Sequence, residues 1–275
     1  MTVILAIANQ NGGVGKTVTA ANVSAGFARA GRRTLAVDCD AQAHLTSWLL
    51  GRADESAADL EAIVVGGADP AAAVHPTRVV GLDALPATPR LAHLARALAA
   101  DGTLIARALE RLRPGYDAMV LDLLSSLSRL TVSALAAADG IVIPVTASVV
   151  GLYGLAGFRD WLASFRTERI ITAPVWGVLL TQADLDQQGR MGTRVGRDVR
   201  DALADFRVTG ARLLPVLVPR RVGVDDLVSQ RLLLGDPAAH AGPGRDVVDA
   251  YARLVDHLLE RVPTAAGPGA AGAAQ

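Results

Sequence analysis

Hydrophobic positions along the chain fall into two alternating kinds of segment. Short apolar runs typical of buried strands lie at Val3–Ala8, Thr34–Val37, Ala118–Leu121, Gly140–Val145, Val175–Leu180 and Leu213–Val218. Between them, longer stretches with helical spacing predict helices that include Lys16–Arg29, Leu91–Leu112 and Val247–Val262. Strands that alternate with helices favour a parallel sheet. The expected fold class is therefore α/β, with a mainly parallel, twisted sheet and helices on both faces.

The length and composition of the chain fit one large core. The sequence has 275 residues, of which 51% are hydrophobic, and it contains no internal repeat. We therefore predict a single domain over residues 1–262. Residues 263–275 are rich in alanine, glycine and proline and offer little to bury, so we expect a disordered tail.

Charge and cysteine content exclude several classes of protein. Basic and acidic residues both number 27, so the net charge is zero and any contact with DNA needs a local patch. Cys39 is the only cysteine, which fits a reducing cytosol and excludes both an intrachain disulfide and thiolate ligation of an iron–sulfur cluster. The amino terminus lacks a basic region, and Gly140–Phe158 is interrupted by proline, glycine and polar residues. We therefore expect neither a signal peptide nor a membrane span.

A glycine-rich turn, Asn9–Thr17, follows the first predicted strand and ends in Lys16-Thr17. Lys16 is the only lysine of the chain. An ammonium group is a compact point charge that fits among phosphate oxygens, whereas guanidinium is a planar fork. A turn of this kind between a strand and a helix is typical of a nucleoside triphosphate site. We interpret Lys16 as a phosphate ligand, in preference to a solvated surface lysine.

The turn matches a deviant form of the phosphate-binding loop. Gln10 occupies the first glycine position of G-x-x-x-x-G-K-S/T, so that pattern fails, and K-G-G-x-G-K-S/T fits except at its first lysine. Successive backbone N–H groups would surround the phosphates of ATP, with Lys16 on the outer oxygens and the Thr17 hydroxyl on Mg²⁺. The predicted cofactor-binding residues of the loop are Asn11, Gly12, Gly13, Val14, Gly15, Lys16, Thr17 and Val18.

Three carboxylates follow predicted strands. Asp38 and Asp40 follow the second strand, and Asp122 ends the third in a pattern similar to Walker B. The carboxyl ends of parallel strands meet at one edge of a sheet, where nucleotides bind. We assign Asp40, together with Lys16, to catalysis because Asp40 is placed to orient an attacking water. Asp38 and Asp122, with Thr17, are the predicted magnesium ligands. The simpler alternative is that these aspartates only cap loops.

These motifs together resemble the ParA family of partition ATPases, a deviant-Walker group that also includes MinD. Asn9–Thr17 is similar to the family's N-Q-K-G-G-V-G-K-T, Val37–Thr46 to V-D-x-D-P-Q-G-N-x-T, and Tyr116–Leu135 to Y-D-x-x-x-I-D-C-P-P-S-L-x-x-L-T-x-x-A-L. The resemblance implies ATP-dependent homodimers that bind DNA without sequence preference. It also implies a ParB-like or other adaptor that stimulates hydrolysis, a cytoplasmic, nucleoid-associated location, and contact of Pro219 and Arg220 with adenine.

The chain departs from the family pattern at several positions. Asn11 replaces the lysine that crosses to the other subunit's phosphates, and Leu124-Ser125 replaces a pair of prolines. An equivalent cation, an arginine finger, contributes roughly 10³–10⁵ in rate, so we expect slow hydrolysis. Arg129 is a candidate replacement, although an exposed loop arginine is the simpler interpretation. A nucleotide-gated binding module with negligible turnover therefore remains an alternative.

Arginines recur with helical spacing late in the chain. Arg190, Arg194 and Arg197 would share one helix face, with Arg200 beside them and Arg221 further along. The family context favours phosphate contacts with DNA, whereas the pattern alone also fits a solvated helix. A MinD-like positioning ATPase is a second alternative, but it would need a basic amphipathic segment at the carboxyl end. Because this chain ends in uncharged residues, we expect no membrane partner.

Overall fold

A computed structural model describes residues 1–51, 58–184, 212–220, 227–241 and 244–262. The predicted DNA-binding arginines and the predicted tail at 263–275 lie outside these ranges, and both stay predictions. Within the described ranges, no helix combines the length and the apolar character that crossing a bilayer requires.

The described strands and helices alternate along the chain as expected. The strands are β1 (Val3–Ile7), β2 (Thr34–Cys39), β3 (His75–Pro76), β4 (Leu82–Leu85), β5 (Ala118–Leu123), β6 (Gly140–Thr146), β7 (Val175–Ala183) and β8 (Leu213–Pro219). The α-helices are α1 (Lys16–Arg29), α2 (His44–Leu50), α3 (Leu60–Val64), α4 (Leu94–Ala100), α5 (Leu104–Glu110), α6 (Arg129–Ala136), α7 (Val149–Thr167), α8 (Pro237–Ala241) and α9 (Arg245–Leu259). Short 3₁₀ helices lie at Pro70–Ala73, Pro89–His93 and Arg113–Gly115.

The described strands form one eight-stranded sheet in the order β3-β4-β2-β5-β1-β6-β7-β8. Neighbouring strands are parallel except for β3 and β4, which are antiparallel. Asp122 of β5 is in register with Ile7 of β1 on one side and with Asp38 of β2 on the other. The polar ends of the central strands therefore meet at one edge of the sheet. The predicted α/β fold class is confirmed.

The sheet is buried on both faces, which explains the nearly continuous hydrophobic runs of its central strands. One hydrophobic cluster lies between the sheet and α3 to α7, and it includes Leu94, Leu130 and Phe158. A second cluster on the other face includes Phe27 of α1 and Tyr251 of α9. Side chains of β2 and β5 alternate between the two clusters, as strand geometry requires.

The predicted helix over Leu91–Leu112 is wrong, because the structure divides this stretch into a 3₁₀ helix, α4 and α5. The Asp101 carboxylate accepts hydrogen bonds from the backbone N–H and the hydroxyl of Thr103, at 2.9 and 2.6 Å. Such local bonds compete with helical hydrogen bonding. The short strands β3 and β4 were also missed, since the brief run Leu82–Leu85 carries Asp83 in its middle.

Gly26 of α1 lies where this helix packs against α9. A Cβ atom at Gly26 would fall 2.3 Å from a side-chain carbon of Val255 and 2.9 Å from one of Leu234. Real Cβ atoms do not approach carbon this closely, so an added methyl group requires the side chains of Val255 and Leu234, or the backbone that carries them, to shift.

Replacing Gly26 by alanine is expected to lower the free energy of unfolding by about 1–3 kcal/mol, the usual cost of overpacking a core. Thermal and urea unfolding measure this loss. Gly102→Ala is the matched control, because nothing lies within 4 Å of a Cβ there. Equal unfolding midpoints for the two variants would contradict the close packing of α1 on α9.

Candidate functional site

The loop between β1 and α1 is shaped by two glycines with left-handed backbone angles. Gly13 has φ 70°, and Gly15 has φ 85° and immediately precedes Lys16, the first residue of α1. A side chain is strained at such angles, whereas glycine adopts them readily. Gly15 is the N-cap residue of α1 and has no side chain that could accept a capping hydrogen bond. The first N–H groups of the helix are therefore available to an anion, and the helix dipole favours one there.

Polar side chains fix the part of the loop that leaves β1. The Asn9 side chain donates to the Pro144 carbonyl at 2.7 Å and accepts from the Asn11 backbone N–H at 3.0 Å. The Gln10 amide donates to the Gly154 carbonyl of α7 at 2.9 Å. These bonds attach the loop to β6 and to α7, so it has little freedom to reorganise.

A cavity of about 690 Å³ opens in front of this loop, within the size range of small-molecule sites. It lies at the carboxyl ends of the central strands, where α/β proteins bind their ligands. The residues that line it are Gly12, Gly13, Gly15, Lys16, Thr17, Val18, Asp40, Gln42, His44, Leu123, Ser125, Thr181, Gln182, Val218, Pro219, Arg220, Val247 and Tyr251.

Most of the residues predicted to bind nucleotide or metal line this cavity, including both predicted catalytic residues and Pro219 with Arg220. Val14, Asn11, Asp38 and Asp122 are not among the lining residues. Val14 is buried. The Asn11 side chain packs against α7 at Gly154, where a Cβ atom would overlap it. The structure thus brings the predicted residues to one place without testing their roles.

Lys16 is almost completely buried, at 7% exposure. Its ammonium donates to the Asn11 carbonyl at 2.8 Å and to the Ser125 hydroxyl at 2.5 Å. Burial lowers the pKa of Lys16, while the nearby charges of Asp122 and Asp40 raise it. Both hydrogen-bond partners are neutral oxygen atoms, which negatively charged phosphate oxygens can replace with a stronger, charge-assisted bond.

Asp38 is occupied by hydrogen bonds from its own chain. One carboxylate oxygen accepts from the Asp40 backbone N–H at 3.0 Å, and the other accepts from the Thr46 backbone N–H and hydroxyl at 2.8 and 2.7 Å. Burial raises the pKa of Asp38 to about 6, and the hydrogen bonds from Thr46 oppose that rise. Asp38 thus holds the first turn of α2, and its predicted role as a magnesium ligand stays a prediction.

Asp122 is a buried carboxylate with an unpaired oxygen. Its Oδ1 atom has no hydrogen-bond partner among the described residues, and the Thr17 side chain hydrogen-bonds to the same carboxylate. Burial raises the pKa of Asp122 well above its usual value, and the charge of Asp38 raises it further. A divalent cation would offset this cost of a buried charge, so Thr17 and Asp122 fit the predicted magnesium site.

The described residues contain no group of three or more His, Cys, Asp or Glu side chains arranged to hold a metal. Mg²⁺ at nucleotide sites typically takes one or two protein ligands and completes its octahedron with phosphate and water oxygens. A magnesium ion here would therefore depend on a bound nucleotide.

Several residues that line the cavity were not predicted from the sequence. Thr181 and Gln182 lie near the end of β7, and Val218 lies near the end of β8. The rule that the carboxyl ends of parallel strands meet at one edge of the sheet would have found all three residues. Tyr251 comes from α9, and its hydroxyl lies 3.0 Å from that of Thr19. No local sequence signal marks Tyr251. Arg129, the candidate replacement cation, is exposed at the start of α6 and does not line the cavity.

Fold and loop geometry together define an α/β protein of the phosphate-loop class. A family model described as "AAA domain" matches residues 2–172. The chain is 37% identical over 262 residues to the chromosome-partitioning ATPase Soj of Thermus thermophilus, covering 95% of this chain and 97% of that protein. It is 32% identical to the chromosome-partitioning protein ParA of Myxococcus xanthus, covering 82% and 78%. The chain therefore belongs to the ParA/Soj family of ATPases.

Solved structures share the fold of this chain. The apo structure of McdA from Cyanothece superposes with a TM-score of 0.82 at 20% identity, covering 94% of this chain and all of that one, which shows the shared fold. A cobyrinic acid a,c-diamide synthase from Mycobacterium smegmatis, solved with bound ADP and magnesium, gives 0.74 at 28% identity and covers 95% of each chain. Nucleotide and magnesium binding thus accompany this fold in a related protein.

Replacing Lys16 by alanine is expected to abolish ATP binding, because it removes the only cation that the loop directs at the phosphates. Isothermal titration calorimetry with Mg·ATP measures the affinity. Arg111→Ala, which removes an exposed cation outside the cavity, serves as the control and should bind like the wild type. Retained affinity in the Lys16 variant would refute the assignment of the phosphate site.

Proposed function

We propose that this protein is a partition or positioning ATPase that binds ATP at the cavity and hydrolyses it slowly. One observation carries the proposal: the sole lysine of the chain opens α1 inside a cavity that Asp40 also lines. Membership of the ParA/Soj family supports the same function. The cargo is DNA or another large body to be moved within the cell.

The cavity offers both kinds of surface that a nucleotide needs. Backbone N–H groups of the loop and the Lys16 ammonium suit the phosphates, where charge-assisted hydrogen bonds are strongest. Val218, Pro219 and Tyr251 supply apolar surface for a base. We assign the adenine to this apolar part of the cavity, with Arg220 next to it.

Hydrolysis in this site rests on positioning and charge. Asp40 lines the cavity, and its carboxylate accepts from the Gln42 backbone N–H at 3.0 Å. In the proposed mechanism this carboxylate orients the attacking water. Lys16 stabilises the negative charge of the transferred phosphoryl group. Thr17 and Asp122 would hold Mg²⁺, which when bound neutralises charge on the phosphate oxygens.

Slow turnover is proposed from the position of Asn11. Its side chain is uncharged and packs against Gly154 of its own chain, outside the set of residues that line the cavity. The loop therefore supplies Lys16 as its cation and no second one. Because a further cation at the phosphoryl group is worth roughly 10³–10⁵ in rate, turnover should be low until a partner intervenes.

The proposed working cycle involves three partners. ATP would drive formation of a homodimer, the dimer would bind DNA without sequence preference, and a ParB-like or other adaptor would stimulate hydrolysis and release. The predicted DNA contacts are the arginines outside the described residues. We place the protein in the cytoplasm, associated with the nucleoid and not with a membrane.

Phosphate release measured with and without DNA and the adaptor tests this function. We expect basal release that is slow but above that of Asp40→Ala, with stimulation by the two partners together. A matched ATP titration of DNA binding by the Asp40 variant follows the switch without turnover. Release no faster than that of Asp40→Ala in every condition would instead support the nucleotide-gated binding module.

Restoring a cation at position 11 tests the cause of slow turnover. Asn11→Lys is expected to raise the rate of hydrolysis by one or more orders of magnitude, within the roughly 10³–10⁵ range of a full arginine finger. Asn11→Gln lengthens the side chain without charge and should leave the rate unchanged. An unaltered rate in Asn11→Lys would show that the missing charge does not limit turnover.

A further inference from the structure

We propose that Thr181 and Gln182, at the end of β7, are positioning residues that hold the phosphate-binding loop ready for its ligand. The Thr181 hydroxyl donates to the Val14 carbonyl at 2.8 Å. The Gln182 side-chain amide donates to the Gly13 carbonyl at 2.5 Å. Two consecutive carbonyls of the loop are thus bound by two consecutive side chains of a strand about 170 residues away. The inference rests on the proposed function, because the loop must bind phosphate for its shape to matter.

Because the peptide bond is planar, these two hydrogen bonds also determine which way the neighbouring N–H groups of the loop point. A trans peptide is planar, so the carbonyl of one residue and the N–H of the next point in opposite directions. Fixing the carbonyls of Gly13 and Val14 toward β7 therefore directs the N–H groups of Val14 and Gly15 away from it. Those donors keep a fixed orientation without any ligand.

The carbonyls of Gly13 and Val14 accept hydrogen bonds, whereas backbone N–H groups of the same loop lack an acceptor among the described residues. Within the described residues, no acceptor pairs with the backbone N–H groups of Gly12, Gly13 and Gly15, and that of Val14 has at most a turn contact with the Asn11 carbonyl. Unpaired backbone donors of this kind are costly unless water or a ligand accepts from them. A phosphate that accepts from several of them at once restores the missing bonds.

Gln182 adopts an uncommon backbone conformation for this contact. Its φ angle is 50°, in the left-handed region that few residues other than glycine adopt. Such strain persists where surrounding contacts fix the conformation, and it concentrates at functional sites.

The two side chains differ in burial. Thr181 is 2% exposed, so water competes little for its hydroxyl. Thr181 should therefore contribute more to the orientation of the loop than the partly exposed Gln182.

Calorimetric titration with Mg·ADP of the full-length protein tests the role of Thr181. Thr181→Val keeps the shape of the side chain and removes its donor, so we expect about two- to tenfold weaker binding, the effect of one hydrogen bond. Thr181→Ser keeps the hydroxyl and should bind like the wild type. Wild-type affinity in Thr181→Val, or equal losses in both variants, would overturn the proposal.

A second variant keeps the test decisive if Thr181→Val fails to fold. Gln182→Met preserves length and removes the amide donor at a partly exposed position, so we expect a smaller loss of ADP affinity, about twofold. Binding equal to the wild type in this folded variant would then overturn the proposal. If the wild-type protein itself does not bind Mg·ADP, the proposed function fails first, and this inference fails with it.

Discussion

The proposed nucleotide site depends on a set of unpaired backbone N–H groups in the loop before α1 and in its first turn. Gly13 and Gly15 take backbone angles that other residues avoid, and α1 begins without a side-chain cap. Water or an anion must therefore satisfy donors that most proteins pair internally. The position of β1 in the middle of the sheet places these donors where the neighbouring strands also end. The proposed phosphate site combines these donors with the single ammonium of Lys16 at the first position of α1.

Charge around the loop is balanced only in part by the chain itself. Lys16 lies close to Asp122 and Asp40. Burial lowers the pKa of Lys16 and raises that of Asp122, so it disfavours the charged form of both groups. The unpaired oxygen of Asp122 and the uncapped helix favour a cation and an anion, respectively. A nucleotide with its magnesium ion brings both charges in one ligand. The charges of the site thus suit a ligand that carries both signs.

The sequence predicts most of the fold and the centre of the site, because these depend on local patterns. The bounds of α1 were predicted correctly, since Lys16-Thr17 starts the helix and Gly31 follows its end. The break between α4 and α5 lies at Asp101-Gly102, a dipeptide typical of turns, and was missed because the hydrophobic spacing continues across it. Thr181 and Tyr251 meet the loop or α1 through contacts distant in sequence, which periodicity does not report. The bonds from Asp38 to Thr46 likewise became visible only in three dimensions.

The most direct measurement of the central claim is an NMR titration of the backbone amides with Mg·ADP. The account predicts large shifts for the amides of Gly12, Gly13 and Gly15, because their N–H groups gain phosphate acceptors. The amides of Gly102 and Gly115, which lie outside the cavity, should not move. Saturable binding that leaves the loop amides unchanged would contradict the account, because the nucleotide would then lie elsewhere.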